Sequence, residues 1–149
     1  MDKKFDQIDR ALQRDARLSQ RELADTVGLS QNACWRRLKA LYASGLIEGH
    51  TVRLDPERLG LDLTVFVLIR TRHHSKDWLE TFRGEVTGLA NVIDFYRIAG
   101  DYDYMLKVVV EDMNAFDRVY QRLIEKVDLD TVTSYMTMEA IAVARDLPI

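Results

Sequence analysis

The sequence is poor in the features that would place it outside the ordinary globular proteins. It has one cysteine, Cys34, so no internal disulfide can form and a reducing, cytoplasmic setting is expected. Two prolines and seven glycines among 149 residues exclude a fibrous or low-complexity chain. The longest stretch without a charged side chain, Thr26–Trp35, is far shorter than the about 20 apolar residues of a membrane span, so no membrane partner is expected. The first residues also lack the apolar run of a secretory signal.

Charge is abundant but unevenly distributed. Hydrophobic residues make up 47% and charged residues 30% of the chain, a balance typical of a folded domain. The net charge is −3, yet residues 1–60 carry 11 basic and nine acidic side chains, whereas residues 61–149 carry ten and 15. Within the first part, residues 10–53 have eight basic and four acidic side chains. This basic region is expected either to meet a polyanion or to be a solvated surface with scattered charge.

The basic region begins with the patterns of two helices. Phe5, Ile8 and Leu12 recur at the spacing of one apolar helix face, which predicts a first helix over residues 6–15. The segment Ser19–Glu22 is a capping box, in which the hydroxyl and the carboxylate satisfy free N–H groups at a helix start. A second, short helix is therefore predicted to begin there.

A turn and a third, longer helix follow. Gly28 lies where a helix would end in a left-handed residue, and Ser30 is a second N-cap. The third helix is predicted to bury Cys34, Leu38 and Leu41, which recur at i, i+4 and i+7. Two helices joined by so short a turn indicate a helix-turn-helix.

The outer face of the third helix carries side-chain types that can contact DNA. Arg36 can make a bidentate contact to guanine, and Gln31 and Asn32 can pair with adenine or contact phosphate. Arg37 and Lys39 suit phosphate contacts, which position a protein without specifying sequence. The alternative is a polar helix face that contacts only water. The predicted DNA-binding residues are Gln31, Asn32, Trp35, Arg36, Arg37 and Lys39.

A hinge separates this region from the rest of the chain. Residues 46–54 predict an extended strand because Thr51 and Val52 favour one. Pro56 and Gly60 then interrupt regular secondary structure within residues 55–60, where the charge balance also changes. The predicted organisation is a DNA-binding domain at 1–54, a hinge at 55–60 and a second domain at 61–149.

The second domain has alternating strand and helix patterns in the order β-α-β-β-α-β. That order predicts an α+β fold with a ferredoxin-like sheet and both helices on one of its faces. The other face would stay bare, with Val, Tyr and Met side chains in need of a partner, so dimerisation through the sheet is predicted. The predicted strands are 61–71, 92–99, 102–110 and 131–141, and the predicted helices are 77–86 and one that begins after Asp112.

The sequence shows no catalytic motif and few candidate ligand groups. Asp101 and Asp103 lie two apart in a predicted turn, where they either shape the turn or bind the ammonium group of a small polar ligand such as an amino acid. His73 and His74 have no third metal-ligating residue nearby, so no metal is expected, but they end a strand close to a candidate ligand pocket. Cys34 is expected to act as a small buried hydrophobe rather than a redox switch.

Together, several motifs make the sequence resemble the Lrp/AsnC (feast/famine) family of bacterial and archaeal regulators. Gln31, Trp35, His50 and Glu111 stand where that family often has Pro, Leu, Tyr and Pro. The segment 66–75, with the following Trp78, also looks like the branch that regulates cysteine detoxification. The motifs that carry the resemblance are Phe5–Asp9, Glu22–Ala24, Val27–Ser30, Arg37–Leu41, Gly45–Ile47, Asp55–Pro56, Leu59–Gly60 and Gly100–Tyr104.

The resemblance implies a dimer built by a RAM-type second domain, which assembles further to tetramers or octamers. Its implied partners are double-stranded DNA and a small amino-acid effector, cysteine or a related one, with no other cofactor. The effector would lie between dimers, near the turn at residues 100–103 and the last strand. The effector-binding residues expected from this resemblance and from the end of the first strand are Gly100, Asp101, Tyr102, Asp103, Met113, Tyr135, Met136, Thr137, His73 and His74.

The interpretation that joins these observations is a sequence-specific transcriptional regulator, not an enzyme, in a prokaryotic cytoplasm and on the nucleoid. One alternative is an effector-independent DNA-organising protein of the same fold, whose second domain only assembles it. Another is a small enzyme on the ferredoxin-like sheet, which would keep its turnover without residues 1–54.

Overall fold

The chain folds into two compact units. In the computed structural model the backbone is described for residues 3–149 and the side chains for residues 7–149. One unit comprises residues 1–53 together with 141–149, and the other comprises residues 54–140. The assignment of residues 141–149 to the first unit differs from the predicted second domain, which ran to the end of the chain.

The first unit has the predicted three helices: α1 (Lys3–Arg14), α2 (Gln20–Thr26) and α3 (Gln31–Ala43). The capping box at the start of α2 is complete, because the Ser19 N–H donates to Glu22 Oε2 at 2.8 Å and the Glu22 N–H donates to Ser19 Oγ at 3.3 Å. These bonds satisfy two N–H groups that would otherwise lack partners at the helix start.

The turn between α2 and α3 has the geometry expected of a helix-turn-helix. Gly28 has a φ of +64°, a left-handed conformation that side chains with a Cβ rarely adopt. Ser30 caps α3 by accepting a hydrogen bond from the Ala33 N–H at 3.3 Å. The turn therefore sets α3 at a fixed angle to α2.

A small apolar core holds the three helices together. Cys34 and Leu41 of α3 are buried as predicted, and so is Ile8 of α1, whereas Leu38 is half-buried. Phe5, predicted on the same face as Ile8, lies outside the residues whose side chains are described. The buried members of this core are Ile8, Ala11, Leu23, Ala24, Val27, Cys34 and Leu41.

The strand predicted at residues 46–54 is wrong. This segment has no regular secondary structure, and its Val52 and Leu54 side chains are exposed. Their residue types favour an extended backbone, but a strand also needs a neighbouring strand to complete its hydrogen bonds. Residues 46–54 have no such neighbour within the described part of the chain.

The C-terminal segment packs within the first unit. The Leu147 N–H donates to Gln13 Oε1 of α1 at 2.7 Å, and the Arg53 guanidinium lies 3.6 Å from the Asp146 carboxylate. These contacts are why residues 141–149 cluster with the helices rather than with the sheet.

The second unit is the predicted βαββαβ fold. After a short 3-10 helix, Glu57–Leu59, its elements are β1 (Leu63–Arg70), α4 (Lys76–Thr87), β2 (Val92–Arg97), β3 (Tyr104–Val110), α5 (Met113–Glu125) and β4 (Thr131–Met136). The strands form an antiparallel sheet in the order β2-β3-β1-β4, with β1 and β3 in its centre. The α+β prediction is confirmed.

Five strand boundaries differ from the predictions. β1 runs over residues 63–70 rather than 61–71. β2 ends at Arg97 rather than at residue 99, and β3 begins at Tyr104 rather than at residue 102, because Gly100 lies in a left-handed turn with φ +132°. β4 ends at Met136 rather than at residue 141. Its partner β1 begins at Leu63, which is level with residue 138, so β1 does not extend beside the residues after 138.

The core of this unit lies between the sheet and the two helices. Val65, Val67 and Ile69 alternate along β1 with half-buried residues, as expected of a strand with one covered face. Phe82 of α4 is fully buried and packs against the rings of three neighbours at centroid distances of 4.9 to 5.6 Å. Those neighbours are Trp78, Phe95 and Tyr104.

The opposite face of the sheet has no helix over it within the described residues. Register places Phe66 beside Tyr135, and Met105 between Leu68 and Tyr96, so these side chains form one continuous patch. Tyr96 and Tyr135 are more than half exposed. Lys107 and Asp94 lie beside the patch on the same face. Exposed apolar side chains grouped in this way are typical of interaction surfaces.

Phe82→Ala tests the core of the second unit. Removing a fully buried ring leaves a cavity, so the free energy of unfolding should fall by about 3–5 kcal/mol. Ile93→Ala, at an exposed position in β2, is the control and should cost less than about 1 kcal/mol. Urea unfolding followed by circular dichroism measures both; equal losses would contradict this description of the core.

Candidate DNA interface and effector site

The outward face of α3 presents polar and basic side chains together. Burial of Cys34 and Leu41 fixes the rotation of the helix, so residues on the other side point to solvent. α3 contains no acidic residue, so nothing within the helix neutralises its cations. The predicted DNA-binding residues that the structure places on this exposed face are Gln31, Asn32, Trp35, Arg36 and Lys39.

Arg37 is placed differently from the other predicted DNA-binding residues. Its side chain is half-buried beside the inner face of α3. Burial raises the pKa of the Cys34 thiol, and the nearby positive charge of Arg37 lowers it in part. Arg37 therefore lies between the core and the outward face, and a phosphate contact for it stays a prediction.

Two aromatic contacts on and beside α3 were not predicted. The Lys39 Nζ lies 5.2 Å from the ring centroid of Trp35, one helical turn away. The Tyr42 hydroxyl is hydrogen-bonded to His50 Nε2, with the two ring centroids 5.8 Å apart. The four-residue spacing of Trp35 and Lys39 was a readable signal, whereas no local pattern connects Tyr42 to His50.

The turn at residues 100–103 is joined to the end of β1 by Asp103. Its N–H donates to the Ile69 carbonyl at 2.9 Å, and its Oδ2 accepts from the Thr71 N–H at 2.8 Å. The neighbouring Tyr102 hydroxyl lies 3.0 Å from Thr133 Oγ1 of β4. Asp103 thus has a structural role in the turn.

His73 lies in contact with two neighbours just after β1. Its Nε2 is 3.0 Å from Asp128 Oδ2, and its ring stacks on Trp78 with centroids 6.1 Å apart. His74 is exposed. The pairing of His73 with Asp128 was not predicted, because the two residues are 55 positions apart in the sequence.

Arg70 and Arg72 lie at the same end of β1 and share one carboxylate. Asp130 is 3.0 Å from the Arg70 Nε and 2.7 Å from the Arg72 Nε. The hydrogen bond from Arg70 is the largest cause that lowers the pKa of Asp130. Both guanidinium groups are therefore already paired within the protomer.

Of the remaining predicted effector residues, Met113, Met136 and Thr137 lie towards the other end of the sheet, and Tyr135 lies beside the middle of β1. Met136 pairs with Val65 near the start of β1, and Thr137 donates through its Oγ1 to the Thr64 carbonyl at 3.0 Å. Met113 opens α5 with its side chain half exposed, three residues after β3 ends. Tyr135, beside Phe66, is also more than half exposed.

One protomer therefore does not bring the predicted effector residues into one site. Asp103 precedes Tyr104, which pairs with Ile69, whereas Met136 pairs with Val65, so Asp103 and Met136 lie about five residues, or roughly 16 Å, apart along β1. The first set comprises Gly100, Asp101, Tyr102, Asp103, His73 and His74, and the second comprises Met113, Tyr135, Met136 and Thr137.

The cavities of the second unit do not unite these sets either. A surface cavity of about 570 Å³ lies beside the loop after α5, lined by residues 124–130 with Tyr120 and Val132. None of the predicted effector residues lines it. Among the described residues, no group of three histidine, cysteine or acidic side chains is placed to hold a metal ion. Nor does any helix within that part of the chain have the length and apolar character to cross a membrane.

Two family models together match most of the chain. The Lrp/AsnC ligand binding domain matches residues 64–147, and a winged helix-turn-helix DNA-binding domain matches residues 7–48. The "DNA-binding transcriptional activator DecR" of Escherichia coli K12 is 46% identical over an alignment of 150 residues. The alignment covers 97% of this chain and 99% of DecR.

Solved structures resemble the whole chain as well. An AsnC family transcriptional regulator from Agrobacterium tumefaciens has a TM-score of 0.96 and 42% identity, covering 99% of this chain and 97% of that one. The transcriptional regulator NMB0573 from Neisseria meningitidis, solved as a complex with L-Met, has a TM-score of 0.93 and 32% identity, covering 99% and 96%.

Proposed function

This chain belongs to the Lrp/AsnC family of DNA-binding transcriptional regulators, and from that membership we propose how its own residues perform the function. The resemblance stated from the sequence motifs is confirmed, and with it the interpretation as a regulator rather than an enzyme. α3 is proposed as the helix that enters the major groove of double-stranded DNA. The observation that carries this proposal is its exposed basic face, free of acidic side chains.

The exposed residues of α3 divide into base and phosphate contacts. Arg36 has the planar fork that matches guanine, and Gln31 and Asn32 at the start of the helix can reach adenine or phosphate. Lys39, a compact charge, suits a phosphate. Half-buried Arg37 is proposed only as a phosphate contact at the border of the surface.

The bare face of the sheet is proposed as the dimer interface. The patch formed by Phe66, Leu68, Tyr96, Met105 and Tyr135 has a member on each of the four strands, and Lys107 and Asp94 lie beside it on the same face. A two-fold dimer buries it against an identical patch and presents two copies of α3. Such a pair suits half-sites about one helical turn apart, and further assembly to tetramers or octamers is part of the proposal.

The effector is proposed to be a small amino acid bound between protomers. A carboxylate at Asp103 would attract the ammonium group, and backbone N–H groups of the turn would attract the carboxylate. Asp103 lies at one end of the sheet, and Met113 and Met136 lie towards the other, so a site that joins them requires a second copy. The L-Met complex of the Neisseria relative supports an amino acid as ligand class, and cysteine or a related amino acid is the specific proposal.

Regulation would follow from differential affinity. An effector that binds between copies stabilises the assembly in which its site is complete. DNA sites that need a particular assembly are then bound more or less tightly, and the coupling is reciprocal. In this account the protein acts in the prokaryotic cytoplasm, at the nucleoid.

A DNA-organising protein without an effector is the second candidate. It is favoured by one observation, that neither of the two surface cavities beside α5 is lined by the predicted effector residues. Thermal unfolding in the presence of each of the twenty amino acids separates the two candidates. Stabilisation by any of them supports the effector-responsive regulator, and stabilisation by none supports the organiser.

Arg36→Ala tests the reading of DNA by α3. Loss of a bidentate base contact should weaken binding by about 1–3 kcal/mol on a duplex that the wild type has selected from a random pool. Binding to random duplex should fall less. Arg83→Ala removes an exposed arginine from α4 and is the charge-matched control. Equal losses for Arg36→Ala on both duplexes would mean that Arg36 contacts only phosphate.

Mixed oligomers test the effector site between protomers. Asp103→Asn keeps an oxygen for the Thr71 N–H but removes the charge, and Met113→Ala truncates an exposed side chain at the other end of the sheet. Each variant alone should lose the thermal shift given by the amino acid that stabilises the wild type. Oligomers that contain both chains should regain up to about half of it, because one shared site is intact.

The mixed-oligomer experiment has one control variant and two results that would contradict the proposal. Asp117→Asn, an exposed position of α5, should leave the thermal shift unchanged. If both single variants respond like the wild type, the proposed residues are misplaced. If the single variants fail and the mixture shows no recovery, the site does not join these two sets across protomers.

A further inference from the structure

Trp35 and Lys39 form a contact on the exposed face of α3. The Lys39 Nζ lies over the indole ring, 5.2 Å from its centroid, within the range of a cation–π interaction. The two residues are four apart, so they lie on neighbouring turns of one helix face. Trp35 is 47% exposed, although large aromatic rings usually bury most of their surface.

The packing of the first unit does not account for this tryptophan. The buried side of α3 is formed by Cys34 and Leu41, and Trp35 is not among the residues that pack against that core. α3 has no acidic residue that could pair with Lys39, and the Lys39 Nζ lies over the indole instead. The indole is therefore a surface group that contacts Lys39.

We propose that Trp35 is a positioning residue for Lys39, holding the ammonium group at a fixed place on α3 where it meets a DNA phosphate. The proposal rests on the proposed function, in which α3 contacts DNA. It deepens that function by giving a role to a residue that can neither pair with a phosphate as a cation nor pack in the core.

The physical reason is side-chain freedom. Lysine ends in a compact charge on a flexible four-carbon stem, and binding a phosphate with it costs the freedom of that stem. A ring below the ammonium group restricts the stem before DNA arrives. Because an aromatic face attracts the cation without neutralising it, the Lys39 N–H donors remain available to a phosphate.

The experiment measures a double-mutant cycle on DNA binding. Wild type, Trp35→Leu, Lys39→Ala and the double variant bind a fluorescent 40-bp duplex of random sequence at several salt concentrations. Trp35→Phe keeps an aromatic face, and Lys76→Ala removes an exposed lysine of α4 as the charge-matched control. Circular dichroism and thermal unfolding confirm that each variant is folded.

The expected results separate positioning from direct contact. Lys39→Ala should weaken binding and lower the salt slope by about 0.9 for each α3 that contacts DNA, whereas Lys76→Ala should do neither. Trp35→Leu should weaken binding about two- to fivefold, and Trp35→Phe should restore most of the loss. In the Lys39→Ala background, Trp35→Leu should change the Kd by less than about 1.5-fold.

Other outcomes would overturn the proposal. If Trp35→Leu costs the same in both backgrounds, Trp35 contacts DNA directly and does not act through Lys39. If Trp35→Leu has no effect in either, the contact has no role in binding. An unchanged salt slope for Lys39→Ala, while Arg36→Ala still weakens binding, would refute the inference and leave α3 as the DNA-binding helix. If the wild type fails to bind the duplex, the proposed function itself fails.

Discussion

The orientation of α3 depends on the burial of its inner side. Cys34 and Leu41 are almost inaccessible in a core shared with α1 and α2, and the Ser30 cap fixes where the helix begins. Rotating α3 would expose these apolar groups and bury cations, which costs far more than any single surface contact contributes. The outward arrangement of Trp35, Arg36 and Lys39 is therefore a consequence of packing.

A second constraint comes from the antiparallel sheet. β3 runs the length of the sheet beside β1. Residues that precede β3 and residues that follow it therefore lie at opposite ends of the sheet. Met113 and Asp103 are separated for this reason, and no side-chain rearrangement can bring them together. A protein that senses a ligand with both ends of such a sheet must do so as an assembly, which couples ligand binding to the number of associated copies.

Much of this structure was predictable because it follows from local patterns. A few neighbouring residues contain the needed signals, such as the spacing of Cys34 and Leu41 and the capping box at Ser19. The βαββαβ order also follows from local patterns of this kind. The strand expected at 46–54 is absent because no other strand lies beside this segment within the described residues. Whether a segment has such a neighbour depends on distant parts of the chain and cannot be read from local residue types. The same holds for the contact of His73 with Asp128. The candidate effector residues came from resemblance, and a motif does not state which protomer supplies each residue.

Direct cross-linking tests the central claim, that the outward face of α3 enters DNA. A photo-reactive amino acid replaces Asn32 on that face in one protein and Asp117 of α5 in another, and each is irradiated with a duplex that the wild type has selected. The account predicts covalent adducts at bases of the half-sites from position 32 and none from position 117. Binding of the duplex with no adduct from position 32, or with equal adducts from both positions, would contradict it.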